Sequence, residues 1–467
     1  MGVVKRTRLA CWGNHPVEDA ALVRPETWRR LGEAARGEVA GAEAGEVAHR
    51  IARGLGRSYG DAALNEGGVV VDMTRLDRVL AFDGERGVVR AEGGVSVGEL
   101  VRAFAPRGWF VPVSPGTRYV TVGGAIAADV HGKNHHADGS IARYVDEIEL
   151  LLASGEVVRC SRQHRPDLFS ATVGGLGLTG VIRSAVIRLR RIESTRVTVK
   201  YQRARDLDEA FDLFGDSDGG ANASRYSVAW IDCLARGKSL GRSVLMSGDH
   251  TPLSALPSDE RGDALRLPDE KRRRVPMDFP GFALNRWSVR AFNAVYYRRH
   301  GGLGERVEPL WSFFYPLDAI DGWNRIYGKR GFQQYQVVIP FDRAREGMRA
   351  VLERISRSGR ASFLAVLKTM GEESGGLLSF PMPGWTLALD LPHRDGLDGL
   401  LDELDEIVVG CGGRRYLVKD ASMRASRLRA MYPKVEAFDR VRREFDPGGV
   451  WSSSLSRRVG LDDVGAA

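Results

Sequence analysis

Lysine is scarce in this chain. Of 68 basic residues only nine are lysine, so arginine is the default cation. A retained lysine then points to a task arginine cannot do: a buried ammonium can lose its proton, whereas a guanidinium stays charged. Lys133, Lys368 and Lys419 stand in glycine-rich or apolar surroundings and are the candidates. Cysteine is sparse too. Cys11, Cys160, Cys233 and Cys411 are widely scattered with no C-x-x-C pair, which excludes a disulfide framework and a cysteine zinc site. No stretch approaches the roughly 18 apolar residues of a membrane span. The first fifteen residues carry Lys5, Arg6 and Arg8 but no signal-peptide core. A cytoplasmic protein is expected. The net charge of +8 is spread along the chain without a zinc-finger, RRM or basic-zipper signature, so no nucleic-acid partner is expected.

Glycine, by contrast, is abundant and clustered. Arg53-Gly54-Leu55-Gly56-Arg57-Ser58-Tyr59-Gly60-Asp61 lies between the apolar pair Ile51-Ala52 and a strand-like run from Val69 to Met73. A glycine-rich turn between strands gathers backbone N–H groups around one point, a geometry that holds a pyrophosphate. No helix pattern follows, and the spacing is neither G-x-G-x-x-G nor G-x-x-x-x-G-K-[ST], so a Rossmann site and a P-loop both fit poorly. Two more loops follow, Pro115 to Ala127 continuing into His131-Gly132-Lys133-Asn134-His135-His136, and Thr172 to Gly180. Three such loops within about 130 residues suggest a long anionic cofactor gripped from several sides. His131, His135 and His136 lack a nearby carboxylate or cysteine at metal-ligand spacing, so no metal is expected.

At 467 residues the chain exceeds one hydrophobic core, and two domains are expected. Residues 1–195 alternate short strands and helices. Pro25 to Arg36 reads as a helix with proline at its first position, Ser96 to Glu99 as a capping box, Ile148 to Val158 as a hairpin and Ile182 to Leu189 as a strand. From about residue 196 the pattern becomes antiparallel strands (Val197–Tyr201, Arg225–Ile231, Tyr335–Ile339) with helices at Leu207–Phe214, Ala344–Ser356 and Leu397–Val409. Gln334 and Gln336 alternate around Tyr335 and so share one strand face. Trp230 lies in a strand. The tail has a helix-like stretch and a break at Phe445-Asp446-Pro447. Arg272 to His300 mixes arginines with six aromatics, the composition of a membrane-interface segment and equally of a surface insertion.

The motifs R-G-L-G-R-S-Y-G-D and H-G-K-N-H-H together resemble the FAD-binding domain of the vanillyl-alcohol oxidase class of flavoproteins. Within that class the chain is similar, over nearly its whole length, to the decaprenylphosphoryl-β-D-ribose 2′-oxidase family, the oxidising half of the epimerase that supplies arabinose for cell-wall arabinan. The resemblance implies an α+β, two-domain flavoprotein. A PCMH-type FAD-binding domain would span 1–195 and an antiparallel-sheet substrate domain 196–411, with 412–467 returning to the FAD domain. It implies FAD held by Arg53, Gly54, Leu55, Gly56, Arg57, Ser58, Tyr59 and Gly60, by Gly116, Thr121, Val122, Gly123, Gly124, Ala128, Asp129 and His131, and by Ile182 and Tyr416. Tyr59 stands where covalent relatives carry histidine, so the flavin should be non-covalent.

The same resemblance implies hydride transfer from a secondary alcohol to flavin N5, with Lys419, His131 and Tyr59 at the chemistry. Lys419 would remove the proton or stabilise the reduced flavin. Lys133, Trp230, Gln334, Gln336, Lys368, Thr386 and Ala388 would meet the substrate. A sugar-like alcohol, polyprenyl-phosphate linked as in the family, is the expected substrate, with an NADH-dependent ketoreductase as partner and peripheral membrane contact. The substrate strand departs from the family. Asn-Ile-Cys frequently follows its Pro-Gly-Trp, whereas here Pro383-Gly384-Trp385 precedes Thr386-Leu387-Ala388, so alanine replaces the cysteine to which covalent inhibitors attach. A tyrosine expected one step before Tyr315 is Phe314. A soluble oxidase or dehydrogenase of a sugar, nucleoside or aminosugar is the alternative.

Overall fold

Short β-branched runs punctuated by glycine turns build the first two sheets. The computed structural model describes residues 5–38, 49–215, 223–270, 272–300, 304–360 and 362–462. The first sheet orders its strands Lys5–Ala10, Val17–Val23, Val69–Asp72 and Arg50–Arg53; the first pair is antiparallel and the rest parallel. The second sheet, antiparallel throughout, runs Val79–Asp83, Val88–Glu92, Val181–Arg188, Val145–Leu151, Val157–Cys160. The expected hairpin is its last pair. The Ser96–Glu99 capping box forms: the Glu99 amide donates to the Ser96 hydroxyl at 3.1 Å and the Ser96 amide to the Glu99 carboxylate at 2.7 Å. One boundary differs from expectation. The first helix is Trp28–Arg36, because the Thr27 hydroxyl accepts from the Arg30 amide and caps it, which leaves Pro25 outside.

The third sheet is antiparallel and eight-stranded, in the order Glu305–Pro309, Arg196–Ala204, Ser243–His250, Tyr226–Ile231, Ala365–Met370, Gly384–Pro392, Phe332–Ile339, Arg414–Arg415. Helices Phe341–Ser358 and Leu397–Gly410 pack on it. Register decides what each side chain meets. Trp385 lies against Phe211 and Phe214 of helix Leu207–Phe214 with ring centroids 4.3 and 5.1 Å away, and the Tyr335 hydroxyl donates to Asp405 of helix Leu397–Gly410 at 3.0 Å. The neighbouring positions in each strand therefore point the other way, where Gln336 meets His131 and Lys368 meets Gly132. The fold is α+β, with helices and antiparallel sheets combined as expected.

After Arg415 the chain crosses back. Leu417–Lys419 forms a short 3₁₀ turn, helix Val435–Phe445 stops before Asp446-Pro447, and Trp451 bridges Arg50 of the first sheet. Arg415, fully buried, anchors the crossing between Asp405 at 3.2 Å and Asp420 at 3.0 Å. Removing one member of a buried ionic group strands its partners' charge. Arg415→Ala should therefore lower unfolding stability by about 3–5 kcal/mol, read as a lower denaturant midpoint; an unchanged midpoint would show that the two carboxylates do not depend on Arg415.

Candidate active site

The glycine loops converge as expected. A Cβ at Gly54 would overlap the Thr121 side chain, one at Gly60 the Asp420 carbonyl oxygen, and one at Gly56 would sit at a positive φ of 63°. Glycine is required at each for its own reason: a packed side chain at Gly54, a left-handed φ at Gly56 and opposing backbone at Gly60. The third loop closes on the short helix Val122–Ala127, with the Gly174 and Leu176 amides donating to the Ile126 and Ala127 carbonyls. Thr121 caps that helix through the Gly124 amide, 3.2 Å. Among the described residues, no protein acceptor takes the amides of Gly54 through Ser58. A row of unclaimed N–H groups in a glycine cradle is the donor set a pyrophosphate requires, so these residues fit FAD.

The other residues expected at the cofactor surround this cradle. Arg57 lies over the Trp12 ring at 3.6 Å and near Tyr119 at 5.0 Å. Tyr416 donates to the Ala128 carbonyl at 2.7 Å and stacks on Phe380, 4.5 Å between centroids. Asp129, fully buried with φ of 41°, accepts from the Ala142 amide and the Ser374 hydroxyl. Ile182 is a buried residue of the second sheet. Gly116 has open space where a Cβ would stand. Arg53 is used differently: its guanidinium donates to the Ala10 and Ala63 carbonyls at 2.6 and 3.1 Å, and its carbonyl accepts from the Met73 amide.

The residues expected at the substrate gather, Lys133 apart, on one face of the large sheet. Gln334 pairs with Asp390, Gln336 with Ala388, Thr386 with Lys368 and Val366 with both Ala388 and Trp230, so all share that face. Ala388 and Val366, opposite one another, are only half-buried while their neighbours are buried, which marks the opening. The Gln336 side-chain nitrogen lies 3.0 Å from His131 Nε2 and 3.3 Å from the Thr386 hydroxyl. His131 Nδ1 is buried with no partner among the described residues, and burial, followed by the Lys368 charge, holds the ring well below its ordinary pKa. His135 and His136 are committed elsewhere: His135 Nδ1 accepts from the Gly371 amide and His136 faces the Ser224 carbonyl. Trp230 donates to the Phe363 carbonyl at 3.0 Å and packs on Tyr296, 4.6 Å between centroids. Phe314 contacts Tyr226 and His250, while the Tyr315 hydroxyl pairs with Ser114 at 2.6 Å.

Three lysines converge here. Lys368 donates to the Gly132 carbonyl at 2.7 Å, and Lys133 to the Phe313 and Phe314 carbonyls at 2.9 and 3.2 Å. Lys419 Nζ sits 3.8 Å above the centre of the Tyr59 ring. Burial lowers all three: Lys133 to about 8, Lys419 to about 7 with the Asp390 charge opposing the fall, and Lys368 well down, its neighbours Lys133 and Lys419 adding to the effect. Tyr59 is pushed well above its ordinary value, first by burial and then by Asp390.

Asp390 escaped the sequence reading. It is fully buried, accepts from Gln334 at 2.5 Å, and burial raises it to about 7. The signal was present: a lone acid in the apolar run Thr386-Leu387-Ala388-Leu389-Asp390-Leu391, in step with Thr386 and Ala388.

Comparison with known proteins agrees with this geometry. Residues 21–161 match an FAD binding domain family model. The chain is 42% identical, over 88% of its length and 89% of the relative's, to decaprenylphosphoryl-β-D-ribose oxidase of Mycolicibacterium smegmatis. The chain belongs to the decaprenylphosphoryl-β-D-ribose oxidase family. It is accordingly an FAD-dependent oxidoreductase. An uncharacterised Streptomyces coelicolor protein is 37% identical over 79% of this chain and all of its own. The L-gulono-1,4-lactone dehydrogenase of Mycobacterium tuberculosis is 24% identical over 96% and 98%. In this decaprenylphosphoryl-ribose oxidase family member, Gly60 both closes the cradle and abuts the turn that carries Lys419. Gly60→Ala should force the two apart, and the purified protein should carry less flavin per chain by visible absorbance. Full flavin content would show that the contact yields.

Proposed function

We propose that this protein oxidises the 2′-hydroxyl of a polyprenyl-phosphoryl pentose to a ketone, with FAD bound non-covalently. The observation that carries the reading is the Lys419 ammonium, poised over Tyr59 and set against Asp390, beside a sheet face that presents Lys368, Gln334, Gln336 and Thr386 to one opening at Ala388. Bound FAD supplies the hydride acceptor. Lys419, near neutrality in its proton affinity, takes the hydroxyl proton at Nζ. Lys133 and Lys368 set positive charge beside the substrate's sugar and phosphodiester, and the glutamine amides and Thr386 orient its hydroxyls. His131, kept neutral, holds its ring against Gln336 and Tyr416. The ketone passes to an NADH-dependent ketoreductase, at the cytoplasmic side of a membrane where a lipid-linked sugar resides.

The Thr386 and Ala388 replacements favour a second reading, a free sugar, nucleoside or aminosugar as substrate. Anaerobic bleaching of the flavin by a panel of polyprenyl-phosphoryl pentoses and free glycosides decides between them; reduction by free glycosides alone overturns the lipid-linked reading.

Four outcomes follow from the site's chemistry. Loss of a general base costs about 10²–10⁴-fold, so Lys419→Ala should keep its FAD and reduce it that much more slowly. The active form of Lys419 is the neutral amine, so wild-type flavin reduction should rise with pH through about 7. Asp390→Asn removes the charge that supports the ammonium and should move that limb to lower pH. A limb that stays put separates Asp390 from the titration. Tyr59 offers no histidyl nitrogen for flavin attachment, so trichloroacetic acid should leave the flavin in the supernatant; a yellow pellet rejects non-covalent binding.

A further inference from the structure

We propose that the segment Met277–His300 is the surface by which the protein docks on an anionic phospholipid bilayer. Six of the thirteen exposed large apolar side chains among the described residues fall between Met277 and Val295, and the most exposed are Phe282 at 78%, Trp287 at 66%, Met277 at 64% and Val295 at 62%. The other seven are scattered singly, as surface apolar residues ordinarily are. Helix Arg286–His300 explains the concentration. It buries only Val289 and Asn293, and Asn293 is pinned by a polar bond, 2.6 Å to Asp232, which Arg242 holds in turn. Trp287, Ala291 and Val295 follow each other at i, i+4 and i+8 on the outward face. Exposed Arg286, Arg290, Arg298 and Arg299 flank this stripe.

The chemistry selects the partner. From Phe279 to Gly304 the chain has no acidic residue, so the face carries uncompensated positive charge. Arginine around an apolar stripe of tryptophan, phenylalanine and valine matches anionic headgroups above acyl chains. A nucleic acid would use the charge and leave the stripe in water. The placement also matters. Tyr296 of the helix packs on Trp230, and Phe292 lies 5.9 Å from Phe363, whose carbonyl holds the Trp230 indole. Docking this helix therefore sets the sheet face and its opening at Val366 and Ala388 beside the bilayer. This deepens the reading of a lipid-linked substrate and rests on it for its purpose, since the lipid could then stay in the membrane during oxidation.

The test needs no substrate. FAD-loaded full-length protein is sedimented with phosphatidylcholine vesicles, with or without phosphatidylglycerol. Arginines are attracted to an anionic surface and the attraction is screened by ions, so binding to the mixed vesicles should exceed binding to phosphatidylcholine by at least about tenfold and fall with salt. The double variant Trp287→Ser/Val295→Ser should bind the mixed vesicles at least about tenfold less with unchanged flavin content and thermal midpoint. Equal binding to both vesicle types, no binding, or unaltered binding by the variant overturns the proposal. A wild type that ignores vesicles but forms dimers lost in the variant assigns the face to a second copy instead. Because no sugar is present, failure here leaves the substrate reading standing, and failure of that reading leaves a vesicle result standing.

Discussion

Three lysines are held out of water with too few carboxylates to balance them, and the architecture follows from that imbalance. Backbone carbonyls of Gly132, Phe313 and Phe314 replace water around Lys368 and Lys133 but do not neutralise them. Lys419 has an aromatic face and the influence of Asp390, a carboxylate that burial itself keeps half-protonated near neutrality. Buried uncompensated charge is expensive, and it is relieved by losing protons or by admitting an anion. A site so arranged favours bound anions and any step that builds negative charge within it. The residues from His131 to His136 serve this end structurally: they carry one lysine, receive another, and reach the large sheet through the Lys133 and His135 contacts with Ser227 and Gly371.

The cradle was legible because it is written in contiguous residues. Glycines at 54, 56 and 60 and at 123 and 124 declare positions with little room for a side chain or with a left-handed φ, and the structure shows what would be struck at Gly54 and Gly60. Strand parity was equally legible: the alternation of Gln334 and Gln336 carried over to the register with Ala388 and Asp390. Three things were not. The depth of Lys419's burial depends on Tyr59, far away in sequence. The use of Arg53's guanidinium depends on carbonyls of Ala10 and Ala63. The start of the first helix turned on a hydroxyl cap at Thr27 against a proline preference at Pro25, and the cap won because it satisfies an otherwise open amide.

Cofactor and substrate sides differ in how they are built. The glycine cradle proposed for the cofactor presents mostly main chain, and it tolerates little change where a methyl group would collide with Thr121 at Gly54 or with the Asp420 carbonyl at Gly60. The face proposed for the substrate is a row of side chains projecting from paired strands, where a substitution such as those at Thr386 and Ala388 leaves the register intact. Divergence within this family thus has an inexpensive route on one side and a costly one on the other.

The last segment of the chain finishes what the first begins. Arg458 binds Asp61 at 2.7 Å and Asp420 at 3.0 Å, the Tyr59 amide donates to the Val418 carbonyl, and the Ser452 amide donates to the Arg50 carbonyl. During synthesis the glycine loop emerges from the ribosome roughly four hundred residues before these partners do. Contacts of such long sequence separation form late. Until those later residues are made, the glycine loop lacks the Val418 carbonyl, the Lys419 ammonium and the Arg458 guanidinium that surround it in the finished fold.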